Sequence, residues 1–454
     1  MVRPSRAGPT SEDPLDYLFG LQRFGVKLGL DNMRMLNAAL HNPDRRFKSL
    51  LIAGTNGKGS VAAMAERGLR AAGYATGLYT SPHLIALNER FAVDGRPVDD
   101  AALGTEAAAV RETVERLCAS GRLGHPPTFF EATTALALSI FRRRRVDVAV
   151  LEVGMGGRFD ATNVVHAVAA GIPSIDLDHQ QHLGATLAEI AFEKAGVIEP
   201  GTVVVSGEEK TEASAVLRRE AAARGARFVD ARDEAAVRWR EDGGLIRVDE
   251  LKTPIGRYGP LTLALRGRHQ LRNATVAVRL LEELAPAGIR VPRAAIERAL
   301  ADVRWRGRLE LVDCGPGRRM LLDPAHNVAA AAALASYVAR IYPSGLPFVF
   351  GTLADKDATG MLDALGGAVN RVICTPIASP RARPVEALVA AARASRCDVP
   401  IEAAPSPVAA LASAWRTGPV AGVAGSVYLV GEVLRALDCG RLAPLAPAFP
   451  EARE

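Results

Sequence analysis

A chain that carries LLIAGTNGKGSVAAM at residues 51–65 must place a buried strand, a glycine-rich turn and a helix in immediate succession. That succession belongs to doubly wound α/β sheets, where the turn faces a ligand. The run FKSLLIAG (47–54) reads as a buried strand closed by glycine, and SVAAMAERGLRAAG (60–73) has helical spacing and stops at Gly73. In such a turn the backbone N–H groups point at an anion, and Gly54, Gly57 and Gly59 allow the turn and a phosphate approach that a Cβ would obstruct. The spacing departs from the usual phosphate loop, whose hydroxyl residue directly follows the lysine. Here Lys58 is followed by Gly59, and Ser60 comes one place late. Lys58 is placed to bridge phosphates and Ser60 to reach Mg²⁺. The loop alone does not separate a kinase, an ATPase and a ligase.

The rest of the first half keeps the alternation. YATGLYTS, VDVAVLEVG, AVAAGIPSI and GTVVVSG read as strands. Between them, DDAALGTEAAAVRETVERLCASG, FFEATTALALSIFRRRR and TLAEIAFEKAGVI read as helices. Strands and helices in turn imply a mainly parallel, doubly wound sheet. From 226 to 266 short strands with turn residues suggest a small antiparallel insertion, and two helices follow. A second strand–helix alternation starts in RWRGRLELVDCGPGRRMLLDPAHN (304–327) and runs to about 440. The expected division is therefore a larger doubly wound α/β domain over 1–303 and a smaller Rossmann-like α/β domain over 304–454. The first residues, MVRPSRAGPTSEDPLDY, read as a frayed tail before a helix rather than a signal peptide. The last, RLAPLAPAFPEARE, read as a proline-rich tail.

Composition narrows the function classes. Among 454 residues no apolar stretch approaches the ~18 needed for a membrane helix, so no membrane partner is expected. Five cysteines without C-x-x-C spacing argue against a zinc site or disulfide framework and suit a reducing cytoplasm. The net charge of +6 admits nucleic acid or an anionic small substrate. The one dense run, FRRRRV (141–146), lacks interleaved aromatics and reads as a solvated helix end, where cations complement the dipole. No nucleic-acid partner is expected. Lysine occurs only at 27, 48, 58, 194, 210, 252 and 356, so a lysine inside a motif is less often incidental.

Further candidate residues cluster at strand ends. Glu152, in LEVGMGGRFDATN, closes an apolar strand, where a carboxylate facing a phosphate loop can hold Mg²⁺ directly or through water. His179 follows another strand, although imidazole is not a preferred Mg²⁺ ligand. Asp323, His326 and Asn327 in LLDPAHN, and Asp355, Lys356 and Asp357 after LPFVFG, occupy equivalent positions in the second half.

Taken together these segments resemble the folylpolyglutamate synthase / dihydrofolate synthase family, within the Mur-type ATP-dependent amide ligases. The resemblance runs from about 15 to 437 through GTNGKGS, TSPHL, NERF, FFEATT, EVGMGGRFDATN, DHQQHLGATLAEIAFEKAG, GRHQLRNA, WRGRLE, LDPAHN and FGTLADKD. It implies that ATP phosphorylates a substrate carboxylate and that the amine of L-glutamate attacks the acyl phosphate. The implied acceptors are dihydropteroate, reduced folates, or both. It implies ATP and Mg²⁺ as cofactors, with Gly57, Lys58, Gly59 and Ser60 on the phosphates and Ser60, Ser81, Glu152 and His179 around the metal. Lys194 matches a lysine that is carbamylated in these ligases, which would make a cation into a metal-facing carboxylate. Asn273, Arg308 and Asp323 match nucleotide positions, and His326 a position near the reaction centre. The pterin side would comprise Gly29, Leu30 and Asp31, with Thr128, Phe129, Phe130, Glu131 and Phe159; aromatics there suit stacking on a flat ring. A cytoplasmic monomer is expected.

Two departures stand out. Pro324 replaces a usual glycine in LDPAHN, fixing φ and removing an N–H. Asp176 adds a carboxylate near the metal residues. A peptidoglycan-precursor ligase would need a UDP-sugar-binding domain before the loop, and only 53 residues precede Gly54. A phosphate-loop kinase or regulatory ATPase would not need HQLRNA, WRGR and LDPAHN spread over two domains. A catalytically dead binding protein would not need Lys58, Glu152, His179 and Lys194 together.

Overall fold

The apolar run ahead of the glycine turn forms β1 (Lys48–Ile52), the middle of an eight-stranded sheet. The computed structural model describes residues 13–25, 27 and 29–440, and a helix, Pro14–Gly20, opens almost at its start. Most of the expected N-terminal tail and the whole proline-rich tail lie outside the described residues, as do Val26 and Leu28. The other strands of this sheet are β2 (Thr76–Tyr79), β3 (Phe91–Val93), β4 (Arg96–Pro97), β5 (Val148–Glu152), β6 (Ala167–Ile172), β7 (Val203–Ser206) and β8 (Arg227–Asp230). Their order is β4-β3-β2-β5-β1-β6-β7-β8, parallel throughout except for β3 and β4 at one edge.

The inner strands are apolar on both faces because helices cover both. Leu50 and Ile52 enter one hydrophobic cluster while Leu51 enters the other, as the two-residue period of a strand requires. The register pairs Ile52 with Glu152 on one side and with Gly171 on the other. The glycine turn, Glu152 and the loop after β6 therefore leave the sheet at the same carboxyl edge.

The antiparallel insertion is shorter than the sequence texture suggests. β8, expected inside it, instead pairs parallel with β7 and extends the main sheet, since FVD can be buried from both faces. The insertion comprises β9 (Ala236–Asp242), β10 (Leu245–Lys252), β11 (Arg257–Tyr258) and β12 (Leu261–Thr262). Gly243 and Gly244, both at positive φ, make the tight β9–β10 turn.

A six-stranded sheet follows: β13 (Glu310–Asp313), β14 (Arg319–Leu322), β15 (Leu346–Phe350), β16 (Val369–Cys374), β17 (Ile401–Ala403) and β18 (Val420–Ala424). Its order is β13-β14-β18-β15-β16-β17, parallel but for β13. The carboxyl ends of β14, β15 and β18 lead into Asp323, Gly351 and Gly425. The arginine run is a helix end with Arg143, Arg144 and Arg145 exposed, as expected, although two of its side chains are anchored. Arg142 donates to the Leu40 carbonyl at 2.9 Å and Arg143 pairs with the buried Glu106 at 2.5 Å. None of the five cysteines is in a disulfide, and among the described residues no helix is long and apolar enough to cross a membrane.

Candidate functional site

Leaving β1 at Ala53, the chain turns through Gly54 and Gly57 at φ +125° and +85°, a backbone region that residues with a Cβ avoid. Packing forbids a Cβ as well. On Gly57 it would lie 2.4 Å from Asn273 Oδ1, and on Gly59 2.8 Å from the Trp305 indole nitrogen. The helix Lys58–Ala71 starts with no side-chain cap, so its first amides are available to an anion.

Two lysines converge behind this turn. Lys58 Nζ donates to the carbonyls of Gly54 (3.1 Å) and Thr55 (3.0 Å). Lys194, at the end of the helix Leu187–Lys194, donates to the same Gly54 carbonyl at 2.8 Å. Burial, and then the charge of Lys58, bring the Lys194 ammonium down to about 7. Burial also lowers Lys58, against the pull of Glu152 and Asp178. A buried amine that is half neutral near pH 7 can act as a nucleophile toward CO₂.

The expected nucleotide residues gather in one place. Gly57, Gly59, Ser60, Asn273, Arg308 and Asp323 line a single cavity of about 180 Å³. The buried Ser60 hydroxyl accepts from Gln270 Nε2 at 3.3 Å, and Asn273 Nδ2 donates to Gln270 Oε1 at 2.8 Å. Gln270 sits one turn before Asn273 on the helix His269–Glu282 and was missed in the sequence; the i, i+3 spacing is the signal that could have found it. Asp323 accepts the amides of Leu309 (3.1 Å) and Ala325 (3.0 Å). Its carboxylate thus fixes the chain immediately after Arg308.

The expected metal residues meet less tightly. The Ser81 amide donates to Glu152 Oε2 at 3.2 Å; burial raises the Glu152 carboxyl and Lys58 opposes it. His179 stands at φ +51°, and burial pushes its imidazole down to about 4, leaving it neutral at pH 7. Among the described residues no three His, Cys, Asp or Glu side chains come together to hold a metal ion. A hydroxyl, a carboxylate and a neutral imidazole beside a phosphate loop fit a divalent ion that also takes oxygens from a bound nucleotide.

A second cavity, of about 350 Å³, has Ser81 in its wall. Gly29, Thr128, Phe129, Phe130, Glu131 and Phe159 line it, with His179 and His326. Two expected members are elsewhere. Leu30 is buried ahead of the helix Asp31–Ala39, while the Asp31 carboxylate is 91% exposed and pairs with Arg34. The polar side chains of Thr128 and Glu131 are engaged with each other's backbone amides, at 3.1 and 2.7 Å, as a capping box. Their residues line the cavity while their polar atoms start the helix Phe129–Arg143. Phe130 packs beside Tyr79 and over Gly154, where a Cβ would meet its ring at 2.6 Å.

Asp178 was not singled out in the sequence, yet it joins the two sheets. Lys356 Nζ reaches its carboxylate at 2.5 Å, Asn327 at 3.2 Å and His326 Nε2 at 3.6 Å. Burial disfavours its charge, but His179, His326 and Lys356 hold the carboxyl well below the usual range. Burial takes His326 down to about 3, so that imidazole is neutral too. Asn56 in the glycine turn and Asn327 exchange hydrogen bonds at 3.0 and 3.3 Å.

The two departures also have places. Pro324 is accommodated because the Ala325 amide still reaches Asp323 and the Pro324 carbonyl accepts from Gly425 at 2.8 Å. Asp176 accepts from Asn56 (3.1 Å) and from Lys210 (2.7 Å). Its charge is balanced at the turn by Lys210.

Two family descriptions match the chain: "Mur ligase middle domain" over residues 52–281 and "Mur ligase, glutamate ligase domain" over 307–427. The chain is 38% identical over 366 residues to a "Probable bifunctional folylpolyglutamate synthase/dihydropteroate synthase" of Haloferax volcanii, covering 80% of this chain but only 42% of that longer protein. It is 35% identical over 374 residues to the "Dihydrofolate synthase/folylpolyglutamate synthase" of Bacillus subtilis, covering 82% and 86%. Among solved structures, "Mycobacterium tuberculosis Folylpolyglutamate synthase complexed with ADP" superposes with a TM-score of 0.86 at 33% identity, covering 94% and 99%. A "bifunctional folylpolyglutamate synthase/dihydrofolate synthase complexed with AMPPNP and Mn ion from Yersinia pestis" gives 0.80 at 29%, covering 95% and 99%.

Proposed function

We propose, because the chain belongs to the folylpolyglutamate synthase/dihydrofolate synthase family of ATP-dependent Mur ligases, that it joins L-glutamate both to dihydropteroate and to reduced folates. The observation that carries this reading is the single cavity where Gly57, Gly59, Ser60, Asn273, Arg308 and Asp323 meet, together with a separate aromatic cavity lined by Ser81. ATP bound over the uncapped helix start would direct its γ-phosphate toward Ser81 and Glu152. The acceptor carboxylate oxygen attacks that phosphorus and ADP leaves. The glutamate amine then attacks the acyl carbon, loses a proton, and phosphate departs with the transferred oxygen. The chain's own work is positioning and charge neutralisation, not nucleophilic catalysis.

Mg²⁺ is the divalent ion proposed, held by Ser81, Glu152 and His179 with Ser60 nearby; when bound it neutralises phosphate charge. Lys58 bridges phosphates, and Arg308 and Asn273 grip the nucleotide. Lys194, neutral in half its copies near pH 7, adds CO₂ and releases a proton to become a carbamate facing the metal. Phe129, Phe130 and Phe159 receive the pterin ring, while His326 and Asp323 stand at the reaction centre. We place the domain division at 303/304 and read the protein as a cytoplasmic monomer, in keeping with its unpaired cysteines. The test is product formation with dihydropteroate plus glutamate against tetrahydrofolate plus glutamate. Both should yield one added glutamate per ADP; no turnover on dihydropteroate would leave folate elongation alone.

A further inference from the structure

A third cavity, of about 500 Å³, belongs to neither the nucleotide nor the ring. It lies between the helix Lys58–Ala71, the loop after β2, the β3–β4 edge and the chain at 302–308. It shares Ser81, Pro82 and Val427 with the aromatic cavity, shares Arg308 with the nucleotide cavity, and reaches Glu152. It therefore opens on the reaction centre from a side of its own.

Its charges are unevenly matched. Arg67 is paired with Asp302 at 2.8 Å, Arg70 with Glu66 at 2.9 Å and Arg306 with Glu310 at 3.3 Å. The Glu89 carboxylate is taken by the amides of Leu84, Ile85 and Ala86. Arg304 remains, exposed and with no ion pair or hydrogen bond to another described residue, whereas the charge of Arg308 acts on Asp323 and Glu152. Leu78, Ala92 and Val303 add apolar wall to the same cavity. A free guanidinium beside apolar wall matches a flexible chain that alternates carboxylates with methylenes.

We infer that this cavity receives the γ-glutamyl tail of substrates already carrying several glutamates. The inference rests on the folate-elongation reading above. Each added residue lengthens the chain between the ring and the new terminal carboxylate, which must still reach the same γ-phosphate. An aromatic cavity of about 350 Å³ cannot grow with it, so surplus tail passes Ser81 and Pro82 into the adjoining space. Its α-carboxylates then meet Arg304.

The test compares wild-type protein with Arg304→Gln, an exposed position outside the nucleotide and ring cavities. The substrates are reduced folates with one and with four glutamates. With one, kcat/KM should be unchanged. With four, it should fall roughly fivefold through KM, the worth of a screened carboxylate–guanidinium contact of about 1 kcal/mol. Equal effects on both substrates, or none on either, would overturn the inference. So would inorganic phosphate inhibition of the wild type that Arg304→Gln relieves, since it would make phosphate the occupant. Turnover of dihydropteroate with no elongation of any folate by the wild type would overturn the underlying reading instead.

Discussion

Replacing Lys194 by alanine removes the amine whose environment is the most unusual in the site. Lys194 donates to the Gly54 carbonyl that Lys58 also uses, and burial with that neighbouring charge brings it from 10.5 to about 7. At pH 7 such an amine is about half neutral, against roughly 0.03% for an ordinary lysine. The neutral fraction, the only form that can attack CO₂, is thus about a thousand times larger. Because the pKa is lowered, the neutral form is lost as pH falls through 7 and reaches about 90% at pH 8. Carbamylation should follow the same slope. Lys194→Ala should lower kcat by about 10²–10³, the cost of one preorganised charge at a phosphoryl-transfer centre, while KM for ATP stays within about threefold. Added acetate should restore part of the rate. The assay is steady-state ADP release between pH 6 and 8.5, with and without bicarbonate, alongside ¹³C NMR of protein equilibrated with labelled bicarbonate. Wild-type turnover in Lys194→Ala, or no label on the wild-type protein, would refute the reasoning.

Gly57→Ala must place alanine at φ +85° and its Cβ 2.4 Å from Asn273 Oδ1; the left-handed backbone alone costs about 1–2 kcal/mol. Calorimetric ADP affinity should weaken at least about tenfold, and unchanged affinity would show that the turn does not hold phosphate. Asp178→Asn leaves the buried Lys356 without its carboxylate at 2.5 Å and should cost about 3 kcal/mol in urea unfolding. An unchanged midpoint would show that this contact does not tie the two sheets together.

Local rules made much of this molecule readable. The glycine turn announced itself because glycine is required where φ is positive and where Asn273 and Trp305 press close. The apolar runs of β1, β5 and β6 are buried on both faces, so their patterns admitted little else. Contacts between distant segments carried no local signal. Asp178 looked like the neighbour of a histidine until Lys356 and Asn327, well over a hundred residues away, closed on it. Lys210 carried no local signal of its partner, since Asp176 lies 34 residues earlier. Thr128 and Glu131 were expected to serve a ligand, yet their T-x-x-E spacing is also a helix-start signature, and the backbone claims their polar atoms. β8 joined the main sheet because pairing with β7 was open to it, which no strand sequence can reveal alone.

The central claim is that a carboxylate is activated by phosphoryl transfer at the meeting point of the glycine turn, Ser81 and Glu152. Its most direct test uses dihydropteroate labelled with ¹⁸O in the carboxylate, with ATP and L-glutamate. Mass spectrometry should find one ¹⁸O in each inorganic phosphate and one ADP released per amide formed. Amide formation with unlabelled phosphate would contradict an acyl phosphate and, with it, the account of the site.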